Sequence, residues 1–364
     1  MLSHDSPLSK NRFLLYHLDK TESNGTVGLM QGFWATLEKP FFVLAPLADV
    51  TDAAFRRTIA KYSKPFGPAV FYTEFVSADG LILAPEEGKR KLLADLQYSE
   101  GERPIVAQFF TGKPDIMERA AALAATLGFD GVDINMGCPD RSIEKQGGGA
   151  ALIKNPALAR ELICAAKRGA PGLPISVKTR LGYHKDTLEE WLPQLLAENP
   201  AVITVHARTR KEMSKVPARW ERVKKAVEIR DSLGSETLIL GNGDVKDVAE
   251  ARQKAQESGA DGIMLGRAIF GNPWLFSSSP SSAEPTGYRQ EHQNISLEEK
   301  LQVLVQHTKL FEELLPHKSF AIMKKHYKAY VNGFDGAAEL RGKLMETQNA
   351  NEVAEIIGNR RSEK

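Results

Sequence analysis

The apolar residues of this chain fall into short blocks separated by amphipathic stretches. Eight blocks recur from residue 40 onward: FFVLAPLA (41–48), AVFYTEF (69–75), PIVAQFF (104–110), GVDINMG (131–137), PISVKTR (174–180), AVITVHAR (201–208), TLILGNGD (237–244) and GIMLGRA (262–268). Short, nearly continuous apolar runs of this kind are strands buried on both faces. Helical periodicity fills most of the intervals, at 52–62, 114–127, 156–168, 188–198, 221–233 and 245–258. Pro114 and Pro156 stand in the first turn of their helices, where proline is tolerated. Strands alternating with helices predict an α/β protein with a parallel sheet. Eight such units over about 235 residues predict a (β/α)8 TIM barrel in preference to an open, doubly wound sheet. Polar residues collect at the carboxyl ends of the strands: Gln108, Asn135, Cys138, Lys178, Arg180, His206, Asn242, Asp244 and Arg267. A barrel gathers those ends onto one face, which is where barrels carry chemistry.

The flanks read differently. Residues 1–38 carry little pattern and are expected to be a loosely packed N-terminal extension, with the barrel spanning 39–276. Residues 277–295, rich in Ser and Pro, read as a linker. Ser296 and Glu299 form a capping-box pattern that opens a small all-helical C-terminal domain over 296–364, with helices near 297–315, 318–332, 336–346 and 350–361. In HKSFAIMKKHYKAY (317–330), Phe320, Met323, Tyr327 and Tyr330 share one side of a helix. Lys318, Lys324, Lys325 and Lys328 flank them with no acid between. An apolar stripe with a basic flank suits a docked helix that faces phosphates.

Composition narrows the classes. Hydrophobic residues make up 42% and charged residues 26%, as in ordinary globular proteins. No apolar run approaches the roughly 20 residues of a membrane span. The first 30 residues lack a secretory apolar core, so a cytoplasmic protein with no membrane partner is expected. Two cysteines, Cys138 and Cys164, rule out a disulfide scaffold. The net charge of +2 requires any nucleic-acid partner to use a local basic patch.

Taken alone, Cys138 is a core cysteine. Its place after the fourth strand, with Asn135 three residues earlier and a Gly-rich stretch (147–149) after it, points instead to catalysis. A thiol can donate a proton to a carbanion-like carbon at neutral pH. Cys164, on a helix between Ile163 and Ala165, reads as structural. Cys138 and His206 lack the further ligands of a closed metal site, so no metal is expected. Gln108, Lys178 and His206, polar residues on neighbouring strand ends, suit the ring of a polar cofactor. GNGD (241–244) and LGRAIFGNPWLF (265–276) close strands seven and eight, where barrels build phosphate sites from backbone N–H groups. That leaves the 147–149 run to be read as a mobile loop beside the thiol.

Together these segments resemble one family. APLADVTDAAFRR (45–57), TEFVS (73–77), VAQFF (106–110), DINMGCP (133–139), QGGGAALIKNP (146–156), VKTRLG (177–182), TVHARTR (204–210), NGD (242–244), MLGRA (264–268) and MKKHYKAYVNGFDGAAELR (323–341) look like the tRNA-dihydrouridine synthases. The resemblance implies an FMN-containing barrel, a helical tRNA-binding domain and NADPH-dependent reduction of tRNA uridines. It implies that Pro46, Leu47 and Ala48 line the flavin, that Gln108 contacts its ring, and that Lys178 and His206 lie near its pyrimidine edge. Asn242, Gly243, Asp244, Gly266 and Arg267 would hold the phosphate end. Cys138 would be the general acid, Asn135 and Arg180 would touch a flipped uracil, and Lys324 and Lys325 would hold the tRNA. The chain departs from the family pattern at Leu47, at Asp49, in DRSIEK (140–145) and in the segment after His206. No protein partner is implied, and a monomer is expected. Two other readings stay open: an FMN barrel acting on a free pyrimidine, of the dihydroorotate dehydrogenase type, and a catalytically inactive tRNA-binding protein.

Overall fold

A computed structural model describes residues 31–63, 67–277 and 295–362. Eight parallel strands alternate with helices: β1 Phe41–Leu44, β2 Phe71–Ser77, β3 Ile105–Phe110, β4 Gly131–Met136, β5 Ile175–Arg180, β6 Val202–His206, β7 Leu238–Asn242 and β8 Gly262–Leu265. Each strand pairs with its sequence neighbour from β2 to β8, and β8 pairs with β1. A bridge between Val43 and Val70 closes the ring, with the Leu44 N–H donating to Val70 O at 3.1 Å. The result is a (β/α)8 barrel with no free sheet edge.

Strand ends follow local chemistry. Pairing of β1 with β8 runs as far as Ala45, whose N–H donates to Leu265 O at 2.8 Å. Pro46 has no N–H to continue it, and the Leu47 N–H turns to Thr51 Oγ1 at 2.8 Å. Residues 45–48, expected within the first strand, are therefore a loop at the barrel mouth. β7 ends where Gly243 (φ +129°) and Asp244 (φ +53°) leave β space.

The barrel interior is filled by Val43, Tyr72, Val106, Leu240 and Met264 among others. Trp34, only 1% exposed, belongs to the same cluster, stacking on Phe33 at 4.7 Å and lying 6.4 Å from Tyr72. The expectation of a loose extension to residue 38 is therefore corrected for 31–38. A barrel end needs an apolar plug, and one Trp on a short 3-10 turn (Gly32–Thr36) leaves no periodic signal. Residues 1–30 and most of the expected linker (278–294) lie outside the described residues.

The helices are α1 Ala53–Ser63, α2 Ala78–Leu83, α3 Glu86–Asp95, α4 Pro114–Thr126, α5 Arg141–Lys145, α6 Pro156–Gly169, α7 Leu188–Leu196, α8 Trp220–Ser232, α9 Val248–Ser258, α10 Leu297–Leu314, α11 Met323–Tyr330, α12 Ala337–Glu346 and α13 Ala350–Ser362. Periodicity missed α2, α3 and α5, because α2 and α5 have under two turns and α3 buries no residue. None of the helices among the described residues is long and apolar enough to cross a membrane.

The four C-terminal helices pack on the barrel through α10 and α1. His307 stacks on Phe55 at 4.8 Å, and His326 lies 4.5 Å from His307. Lys318 donates to Glu74 at 2.7 Å and pairs with Asp95 at 3.3 Å, both largely out of solvent. This overturns the placement of Lys318 on a phosphate-facing flank: it fastens the helices to the barrel. Lys325 reaches Asp49 at 3.1 Å across a half-exposed gap.

Candidate active site

The carboxyl ends of the strands surround a cavity of about 820 Å³. Its lining includes Pro46, Leu47, Ala48, Gln108, Asn135, Cys138, Lys178, Arg180, His206, Asn242, Gly243, Asp244, Gly266 and Arg267. All the barrel residues singled out from the sequence thus meet in one place. Among the described residues, the cations Lys178, Arg180, Arg208, Lys246 and Arg267 face it with the single carboxylate of Asp244, an excess that favours an anionic ligand.

Cys138 follows the end of β4 on a turn held from both sides. Asn135 Oδ1 accepts the N–H of Gly137 (3.1 Å) and of Cys138 (2.9 Å). Arg180 Nε donates to Gly137 O at 2.7 Å, and the Ala150 N–H donates to Cys138 O at 2.9 Å. The 147–149 run is packed backbone, not a free flap. A Cβ on Gly149 would lie 2.8 Å from Cys138 O, and one on Gly148 would lie 3.3 Å from Thr111 N. Burial pushes the Cys138 thiol above its ordinary range, so it stays protonated at neutral pH.

On the adjoining strand β5, in register with Asn135, Lys178 Nζ has no hydrogen-bond or ion-pair partner among the described residues. Burial, reinforced by the nearby Arg180 charge, brings its ammonium down to about 8. Arg180 itself falls to about 10 for the same leading reason, and its Nη1 donates to Thr209 O (3.2 Å) and Met213 O (3.0 Å). His206 is held neutral, well below its ordinary range, by burial and then by the charges of Arg180, Lys178, Arg208 and Arg267. Arg208 Nη1 lies 3.1 Å from His206 Nε2. Since guanidinium only donates, Nε2 must accept and the ring proton sits on Nδ1.

At the β7–β8 side, the Asp244 carboxylate is an acceptor taken up by Arg208, by Arg267 at 2.6 Å and by the Ala218 N–H at 2.9 Å. It therefore orients two guanidinium groups and cannot itself bind a phosphate. Asn242 Nδ2 donates to Met264 O at 2.8 Å, which pins β7 to β8. Gly243 is required by its backbone, and a Cβ there would approach Ala218 Cβ to 2.9 Å.

A protonated thiol, an unpaired ammonium and a cationic far end share one barrel mouth. The family model described as dihydrouridine synthase matches residues 43–361, which spans both the barrel and the C-terminal helices. The chain belongs to the dihydrouridine synthase family. A Bacillus subtilis relative described as "Probable tRNA-dihydrouridine synthase 2" is 40% identical over 90% of this chain and 96% of its own length. A Staphylococcus epidermidis relative described as "Probable tRNA-dihydrouridine synthase" is 39% identical over the same shares. Among solved structures, histamine dehydrogenase from Rhizobium sp. 4-9 aligns over 64% of this chain and 44% of its own, with a TM-score of 0.48 and 14% identity. The chain is thus a tRNA-modifying oxidoreductase of the dihydrouridine synthase family.

Lys324 and Lys325, on α11, do not line the cavity. Lys325 pairs with Asp49, beside the Pro46–Leu47–Ala48 loop, so α11 meets the rim of the mouth. Sequence reasoning missed Arg208, which lines the cavity beside His206. Arg208 stood in the quoted TVHARTR segment, two residues after His206 and thus on the same side of an extended chain, which is the signal that could have marked it.

Proposed function

We propose that the chain reduces the C5–C6 double bond of uridines in cytoplasmic tRNA to 5,6-dihydrouridine, with FMN as bound cofactor and NADPH as reductant. The observation that carries this reading is Cys138: a half-buried, protonated thiol at the end of β4, in one cavity with the unpaired ammonium of Lys178. Both fit the group. An ammonium left without a protein partner suits the electron-rich edge of a flavin ring, and a cavity of this size suits a cofactor. FMN supplies the hydride chemistry when bound.

The chain's own residues do the rest. Pro46, Leu47 and Ala48 give the cofactor an apolar wall. Gln108, Lys178 and neutral His206 offer polar atoms to the ring. Arg267, oriented by Asp244, and the backbone at Gly243 and Gly266 receive the phosphate, with Asn242 holding the strand ends together. Cys138 Sγ holds the proton that goes to C5 of the uracil, and burial keeps that proton in place until it is needed. Asn135 and Arg180 border the thiol and face the base. A uridine inside folded tRNA must be unstacked to arrive, at a cost of about a few kcal/mol. Lys324 and Lys325 at the rim hold the phosphates while this happens.

Cys138→Ala tests the reading. The variant should bind flavin and accept electrons from NADPH normally, while dihydrouridine formation falls by about 10²–10⁴-fold. Wild-type turnover in that variant would remove Cys138 from the chemistry.

A further inference from the structure

One buried carboxylate has no place in the scheme so far. Asp133 points into the barrel from β4, is fully buried and does not line the cavity. Its charge attracts that of Lys178 at a distance, but its two oxygens are hydrogen-bonded to Ser176 and Gln108 instead. We propose that Asp133 is a positioning residue for Cys138, fixing the orientation of two side-chain amides that hold the turn carrying the thiol. The inference rests on the reading of Cys138 as the proton donor.

The contacts form one directed chain. Asp133 Oδ1 accepts from Ser176 Oγ at 2.5 Å, and Oδ2 accepts from Gln108 Nε2 at 2.6 Å. Gln108 Oε1 accepts from Asn135 Nδ2 at 3.0 Å. Asn135 Oδ1 accepts from the N–H groups of Gly137 and Cys138. A carboxylate can only accept, so Gln108 must turn its NH2 toward Asp133. Its oxygen then faces Asn135, which must present its own NH2, leaving its oxygen for the turn. If the two amides reversed, the Asn135 NH2 would meet two backbone donors, and the turn would lose both hydrogen bonds. Strand register builds the chain, because Gln108 lies opposite Asp133 and Asp133 opposite Ser176. Every link is buried except the part-buried one to the Cys138 N–H, and an unmet hydrogen bond costs most where it is buried.

Asp133→Asn tests this, since the new amide can donate and the order of the chain is no longer imposed. The readout is the rate of alkylation of Cys138 by iodoacetamide at pH 8, followed by peptide mass spectrometry, with Cys164 as internal control. Released from its turn, the thiol becomes better solvated and loses the burial that keeps it protonated. Its alkylation should rise roughly fivefold or more, the fold-change expected for one lost hydrogen bond. Asn135→Ala should give the same rise, and the double variant should rise no further than Asn135→Ala alone. Cys164 should be unaffected. An unchanged Cys138 rate in folded Asp133→Asn overturns the proposal, as does an equal rise at both cysteines, which signals general loosening. If Asp133→Asn does not fold, Gln108→Met interrupts the same chain and is read by the same two outcomes. If Cys138→Ala retains turnover, the proton-donor reading falls, while the alkylation rates still decide whether Asp133 positions the turn.

Discussion

Gly149 shows how tightly single residues constrain the thiol. Its φ of +59° lies in the left-handed region, and a Cβ would come within 2.8 Å of Cys138 O and 2.9 Å of Ile143 Cγ2. Gly149→Ala should therefore destabilise the fold by about 1–3 kcal/mol, measured by urea unfolding, and should slow dihydrouridine formation by moving the Cys138 turn. Unchanged stability would mean that the turn tolerates displacement. At this scale the sequence revealed which residue types gather, since Gln108, Lys178, His206 and Cys138 all stand at strand ends. It did not reveal what each one bonds. Asp133 reads as an ordinary strand residue until the register sets it against Gln108 and Ser176. Asn135 and Arg180 read as substrate contacts, yet each also ties down the Gly137–Cys138 turn. Such partnerships depend on atoms brought from neighbouring strands, which a linear pattern does not contain.

Among the elements, the eight strands were legible because burial on both faces writes an unbroken apolar run. The helices α2, α3 and α5 and the Trp34 plug were not, for want of a periodic face. The contact of α1 with α10 and α11 carries two buried histidines, His307 and His326, whose ring nitrogens have no hydrogen-bond partner among the described residues. Burial holds His326 down to about 3, with the Lys325 charge adding to it. In the unfolded chain the same ring titrates near 6.5. Below pH 6.5 the unfolded chain takes up a proton that the folded chain refuses. Stability present above pH 6.5 is therefore lost as pH falls toward 3, by about 2 kcal/mol at pH 5 from this residue. His326→Phe should shrink the loss of stability between pH 7 and pH 5 by that amount, as read by denaturant titration at the two pH values. Parallel losses in the two proteins would show that His326 is protonated in the fold.

At the scale of the whole molecule, charge is nearly balanced, with 48 basic and 46 acidic residues. Its distribution matters more than its sum: cations collect in the barrel mouth, and Lys324 and Lys325 stand on the neighbouring helix. The C-terminal helices are fastened to the barrel by Lys318, Glu74 and Asp95, while Glu74 also accepts the Asp49 N–H beside the proposed cofactor loop. The helices proposed to hold RNA are thus built against the loop proposed to hold flavin. The central claim is that this mouth reduces uridine within tRNA, and one experiment meets it directly. Flavin-loaded protein and NADPH are incubated with unmodified tRNA, and dihydrouridine is mapped by position. The account predicts dihydrouridine at defined positions, formed by the wild-type chain and nearly absent with Cys138→Ala. A reducible flavin that leaves every uridine intact, or that acts on free dihydroorotate instead, would contradict it.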